Sequence, residues 1–292
     1  MVGEGHVPPV LAALVAPVTP DQAVLLYCGQ GGRVSQPLAK ALRRQGWTVD
    51  VLPGGWINYR RWVQAGLEVL PRLVTFRILS SALGCEVRRG LKAIRREGHQ
   101  VLDIAGLVGL QDGVLRSPEV RQPSQAWFES QVLQSIRDLD PRAPVWTGDV
   151  DSQVGDLVLP GALTDALAIA PTATLVVPMA ERLRRWQEDA PALAGSLPGL
   201  VDEIGHARPA PVPVLMDRWR LLAEQRAVDP LMSSLLSDHL DPAHAEHIAT
   251  KAARRHALPP LVTDSLAPNA LADAVQRWMP HAAPGANGSV NE

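Results

Sequence analysis

The sequence predicts an α/β fold with a helical C-terminal region, on three observations. Short apolar runs end at glycine-rich turns and lead into segments with apolar residues three and four apart, the signature of strand–helix–strand units on a parallel sheet. That alternation fades near residue 191, beyond which the spacing is helical, with proline breaks around 208–214. The 292 residues, 46% of them hydrophobic, suffice for one large or two ordinary domains.

Residues 23–27 (AVLLY) read as a buried parallel strand ending at a Gly-rich turn. Residues 37–45 predict a helix, with Leu38 and Leu42 one turn apart, Pro37 at an early helical position and Gly46 closing it. Residues 48–52 are a second strand, Pro53-Gly54-Gly55 a turn, and 56–70 return to helical spacing. This order places the first loop at the carboxyl end of a parallel strand in a right-handed crossover. A second α/β segment starts with a strand at 74–79 and a turn at 80–86. Val87, Leu91 and Ile94 form one helical face, and strands at 100–104 and 143–147 flank an amphipathic helix at 126–139. The last clear strand is 174–177, followed by a charged helix at 180–188. The polar tail after Pro280 is expected to be disordered.

A net charge of -2 and a pI of about 6.5 give no global basic field, so any RNA contact must come from a local patch. Cys28 and Cys85 alone make neither a disulfide framework nor a metal-type cluster. No apolar stretch approaches the roughly 20 residues of a membrane span, and MVGEGHVPPV lacks a signal-peptide layout. A reducing cytoplasm is the expected compartment, where a lone cysteine is either a buried thiol or a nucleophile.

Cys28-Gly29-Gln30-Gly31-Gly32-Arg33-Val34-Ser35 lies between a predicted strand and a predicted helix. Unsatisfied amides and the positive end of the helix dipole favour a thiolate there, and three glycines let the backbone curl its N–H groups toward the sulfur. Such a loop suits a nucleophile carrying a persulfide or its selenium analogue. The competing reading is a small buried hydrophobe at a strand end.

This loop resembles the rhodanese active-site loop, in the C-x-R-G-G-x-R-S form of the tRNA 2-selenouridine synthase family. Cys28, Gly31, Gly32 and Ser35 match, Gln30 and Val34 replace the two arginines, and Arg33 sits one place before the second. Downstream, Gly54-Gly55-Trp56-Ile57-Asn58-Tyr59-Arg60-Arg61 resembles the family's G-G-Y-K-A-[YF]-R-R segment. The family's Walker A motif, G-x-T-G-S-G-K-T, falls on Ser81-Ala82-Leu83-Gly84-Cys85-Glu86-Val87-Arg88. Only Gly84 survives there, Val87 stands for the phosphate-binding lysine, Arg88 for the magnesium-binding hydroxyl, and Glu86 adds a negative charge. Residues 100–107 (QVLDIAGL) resemble Q-x-L-D-L-E-G-L, whereas Gly109-Leu110-Gln111-Asp112 has lost the family's His-Arg-Gly-Ser. Residues 122–130 (QPSQAWFES) resemble Q-P-S-Q-x-x-F-E-S. Residues 149–155 (DVDSQVG) resemble E-x-E-S-x-x-I-G, and 235–244 (LLSDHLDPAH) the terminal L-L-x-x-H-Y-D-P-x-Y.

The resemblance covers about residues 20–245. It implies a partial rhodanese-like parallel sheet (1–71), a P-loop NTPase-like α/β domain with a degenerate phosphate loop (72–190), a helical region (191–280) and the tail (281–292). Only 27 residues precede Cys28, where the family has an Asp-Val-Arg segment and further strands, so an N-terminally truncated domain or a misassigned start is expected. The implied activity replaces sulfur by selenium in wobble 2-thiouridine of tRNA, through a geranylated intermediate, with selenophosphate and geranyl diphosphate as co-substrates. Cys28 would serve the exchange, no bound cofactor or metal is expected, and the oligomeric state is open. Two other readings stand beside it, a non-catalytic tRNA- or partner-binding paralogue and a simple rhodanese-type sulfurtransferase.

Arg88, Lys92 and Arg95 follow helical spacing and offer a face for tRNA phosphates, against the alternative of a solvated face balanced by Glu86 and Glu97. Arg182, Arg184 and Arg185 form a second such cluster. His239, His244 and His247 raise a metal site without known ligand spacing. Of the eight tryptophans, most suit core packing and a few suit base stacking.

Overall fold

The computed structural model describes residues 22–109, 122–185, 197–206 and 209–282, with isolated positions before residue 22. The chain divides into two compact units, Met1–Leu67 and Glu68–Glu292, so segments 72–190 and 191–280 fall in one unit.

In the first unit, β1 (Val24–Leu26) pairs in parallel with β2 (Val49–Val51). Alternation along β1 sends Val24 and Leu26 to the face where Leu38, Ala39 and Leu42 of α1 (Ser35–Arg44) pack with Val49. Leu25 faces the other way and is exposed. Arg43 fastens the end of α1 to β2 through the Val49 carbonyl, with Nε donating at 2.8 Å. Helix α2 (Gly55–Val69) follows, burying Val63 and Leu67.

The second unit is built on a five-stranded parallel sheet of β3 (Phe76–Ser81), β4 (Gln100–Leu102), β5 (Val145–Gly148), β8 (Thr172–Val176) and β9 (Leu261–Val262). Its strand order is β4-β5-β3-β8-β9. Central β3 is buried on both faces from Phe76 to Ser80, its one charge, Arg77, being met by the Ala282 carbonyl. Helix α3 (Val87–Arg96) crosses from β3 to β4. Short α4 (Ile104–Leu107) is capped by Asp103, whose Oδ1 accepts from Gly106 N at 2.9 Å. Helix α5 (Gln125–Arg137) is capped by Ser124, and the β6–β7 hairpin (Gln153–Val154, Leu157–Val158) and α6 (Gly161–Ala168) lead to β8. Residues 179–185 are helical. Helices α7 (Leu197–Gly205), α8 (Pro213–Glu224) and α9 (Val228–Leu235) bury one cluster around Trp219. A π-helical turn (Leu236–Leu240) leads into α10 (Asp241–Ala252), and α11 (Pro268–Ala282) packs Trp278 against Trp146 of β5. Among the described residues no helix is long and apolar enough to cross a membrane.

Three sequence expectations are corrected. Ser80 and Ser81 belong to β3 rather than to a turn, since small serines fit the buried end of a central strand. The strand at 174–177 is not the last, because β9 extends the sheet. A two-residue Leu-Val strand is too short to show a period. Helix α11 continues through Pro280 to Ala282, which is buried and whose carbonyl accepts from the Arg77 guanidinium. The rest of the expected disordered tail lies outside the described residues, as do 110–112 and 186–188.

Candidate functional site around Cys28

Cys28 directly follows β1 and Tyr27, and its loop closes at the N-terminus of α1. Gly31 and Gly32 adopt φ of 62° and 104°, a left-handed pair that turns the Gly32 amide back onto the sulfur. Gly32 N donates to Cys28 Sγ at 3.3 Å and the buried Ser35 hydroxyl donates at 3.6 Å. These donors favour the thiolate. The Ser35 hydroxyl, then the amides of Ser35 and Val34, and lastly that of Gln30, lower the thiol from 9.0 to about 6, against a smaller upward push from burial. Gly29, Gln30 and Arg33 are exposed on the rim.

The Gly54-Gly55 pair explains why the two motifs of this unit occur together. Gly55 has φ 59°, and a Cβ there would sit 2.3 Å from the Cys28 carbonyl oxygen. That carbonyl accepts from Trp56 N at 2.9 Å. The cysteine loop therefore rests on the first turn of α2, and glycine is the residue that permits the approach.

The segment resembling a phosphate loop lies at the carboxyl ends of β3 and β5, beside a cavity of about 320 Å³. The strand order reverses at β3, which is where α/β sheets open a crevice. The residues present do not fit a magnesium–diphosphate group. Val87 is apolar and packs on the core below. Arg88 is turned onto Asp103, with Nη2 2.8 Å from Oδ2. Glu86, in a left-handed conformation at φ 48°, holds its carboxylate between Arg89 and Arg185, the latter donating through Nε at 2.9 Å. Arg182 Nε donates to Leu83 O at 2.8 Å and its two Nη groups clasp Asp241. Gly84, at φ 79°, keeps the turn. The chain's own charges thus tie the loop down. Cys85 is buried, which pushes its thiol up.

Two of the three residues on the basic face of α3 are engaged locally, Arg88 as above and Arg95 through Val101 O at 2.9 Å. Lys92 is exposed. The second cluster is also paired, Arg182 with Asp241, Arg184 with Glu181 and Arg185 with Glu86. His239 packs on Trp219, while His244 and His247 line the cavity. Among the described residues no group of three His, Cys, Asp or Glu is arranged to hold a metal.

Two features escaped sequence reasoning. Lys251 and Arg255, from distant α10 and the turn after it, reach Asp149 at 3.1 and 3.0 Å; no local spacing signals that contact. The rings of Tyr27, Trp56, Tyr59 and Trp62 run in one row, and the three-residue spacing 56/59/62 was the available signal.

No protein-family model and no solved structure matches the chain. Among curated proteins it is similar to the tRNA 2-selenouridine synthase of Nitrosomonas europaea, 25% identical over 168 residues, covering 56% of this chain and 43% of that protein. The enzyme of the same name from Marinobacter nauticus is 26% identical over 160 residues, covering 54% and 42%. That of Hydrogenovibrio crunogenus is 24% identical over 168 residues, covering 56% and 46%. The matched region spans under half the length of each relative. The chain is a distant relative of the tRNA 2-selenouridine synthases.

Proposed function

We propose that this chain transfers selenium, or sulfur, to a thiolated uridine of tRNA through Cys28, as a divergent tRNA 2-selenouridine synthase-like protein. The observation that carries the reading is the donor set on Cys28 Sγ, the Gly32 amide and the Ser35 hydroxyl. A thiol held at about 6 is mostly thiolate at neutral pH, the form that attacks an electrophilic chalcogen donor. The same donors suit the terminal anion of a Cys–S–S⁻ or Cys–S–Se⁻ adduct, one atom further out. Cys28 is partly exposed, so a bulky substrate has access.

The diphosphate half of the activity has no such support. Prenyl transfer needs cations for a departing diphosphate, and Val87, Glu86 and the tethered Arg88 supply none. This favours exchange on an already geranylated thiouridine over the full two-step conversion. It also keeps open a sulfurtransferase that uses Cys28 alone.

The thiolate takes the zero-valent chalcogen of selenosulfate or thiosulfate, forming an S–Se or S–S bond and releasing sulfite, and the test is intact-protein mass spectrometry after incubation with either donor. The expected result is a selenium or sulfur adduct on the wild type that Cys28→Ser abolishes and Cys85→Ser retains. Absence of any adduct on Cys28, from selenosulfate or from thiosulfate, would contradict the proposal.

A further inference from the structure

We infer that the aromatic row beside Cys28 is a stacking platform for unpaired bases of single-stranded RNA. The inference rests on the proposed tRNA chemistry at Cys28 and assigns where that substrate is held. Tyr27 precedes Cys28 in the chain, and its ring stacks on Trp56 with centroids 6.3 Å apart and planes 22° apart. Trp56 continues to Tyr59 at 5.3 Å, and Tyr59 to Trp62 at 5.9 Å. Both ends of the row are open, Tyr27 being 57% and Trp62 47% exposed. What sets these rings apart from scattered exposed residues is continuity, four in one row.

Charge selects the occupant. Residues 22–67 carry Arg33, Lys40, Arg43, Arg44, Arg60 and Arg61 against Asp50 as their sole carboxylate, although the whole chain has a net charge of -2. In the sequence the cations and rings alternate, with Arg60 and Arg61 between Tyr59 and Trp62, a composition that suits a polyanion presenting flat bases, and unpaired RNA is that polymer. An apolar or acidic peptide uses one of the two features and leaves the other idle. The Trp56 amide bond to the Cys28 carbonyl fixes the row to the cysteine loop. A base stacked at the Tyr27 end is thereby placed on the residue next to the nucleophile.

The probe is a fluorescein-labelled single-stranded oligouridine, its anisotropy titrated with the full chain at fixed salt. Stacking is worth about 1–3 kcal/mol per base. Tyr27→Ala and Trp62→Ala are therefore each expected to weaken binding about tenfold, and Trp62→Phe to restore most of it. Trp127→Ala, which removes an exposed tryptophan of the second unit, is the control expected to bind as wild type. Melting curves and sedimentation of each variant accompany the titrations. Wild-type affinity in Trp62→Ala, or a change in self-association without a change in RNA affinity, would overturn the inference; the latter would make the face an interface between copies. Selenium loading of Cys28 separates the two claims. Loading with a neutral row leaves the chemistry standing and removes the platform. Row-dependent RNA binding without loading does the reverse.

Discussion

Cys28 and Cys85 are opposite outcomes for the same side chain. Cys28 sits among donors that stabilise its anion and Cys85 among apolar neighbours that oppose it. Iodoacetamide labelling of Cys28 is therefore expected to reach half its maximal rate near pH 6, while Cys85 labels only on unfolding. Ser35→Ala removes the first of the causes and should move the midpoint upward, toward the roughly 8.5 of a free thiol. The sign for stability follows from the same shift. Below pH 6 both states hold the proton, and above the free-thiol value neither does. In between only the unfolded state binds it, so this contribution grows as pH rises and is lost as pH falls through about 6. Denaturant midpoints of wild type and Cys28→Ser across pH 5–9 measure it; identical pH profiles would contradict the assignment.

At the scale of elements, the cysteine loop and the first turn of α2 stand or fall together. Gly55→Ala places a methyl group on the Cys28 carbonyl and forces a left-handed alanine, at a backbone cost of about 1–2 kcal/mol. The expected result is a lower Tm together with a labelling midpoint shifted upward. An unshifted midpoint would show that the loop does not depend on α2. The segment 81–88 is predicted not to bind ATP, GTP or geranyl diphosphate with magnesium, because Arg88, Arg89, Arg182 and Arg185 are already committed to chain partners. Calorimetric micromolar binding that Gly84→Pro abolishes would contradict this. Legibility in the sequence differs between the two loops. Every contact that defines the Cys28 cradle lies within about eight residues of it or in the Gly54-Gly55 motif, so glycine spacing announced it. The fate of Glu86 depends on Arg185, 99 residues away, and no local pattern links them. Strand β9 was hidden for the related reason that two residues have no measurable period.

Across the whole molecule, the charge sums to nearly nothing while its distribution does not. The overall -2 masks a basic, ring-bearing stretch at 22–67, the kind of local patch through which any RNA contact has to come. Four of the five strands of the sheet were legible from short apolar stretches bounded by turns, and β9 was not. The contact of Trp146 with Trp278 was not, since the two residues meet only across the fold. In a cell lacking its own synthase, the chain is predicted not to complete the conversion of 2-thiouridine to 2-selenouridine, because the first step needs a diphosphate site that its own ion pairs fill. Nucleoside mass spectrometry of tRNA from the complemented strain measures that, and selenouridine there would contradict it. The most direct measurement supplies the missing step from outside: purified protein, pre-geranylated thiouridine tRNA and selenophosphate, followed by nucleoside mass spectrometry. Selenouridine formed by the wild type and lost in Cys28→Ser is the predicted result; equal product in both, or none with the wild type, would contradict Cys28 as the transferring residue.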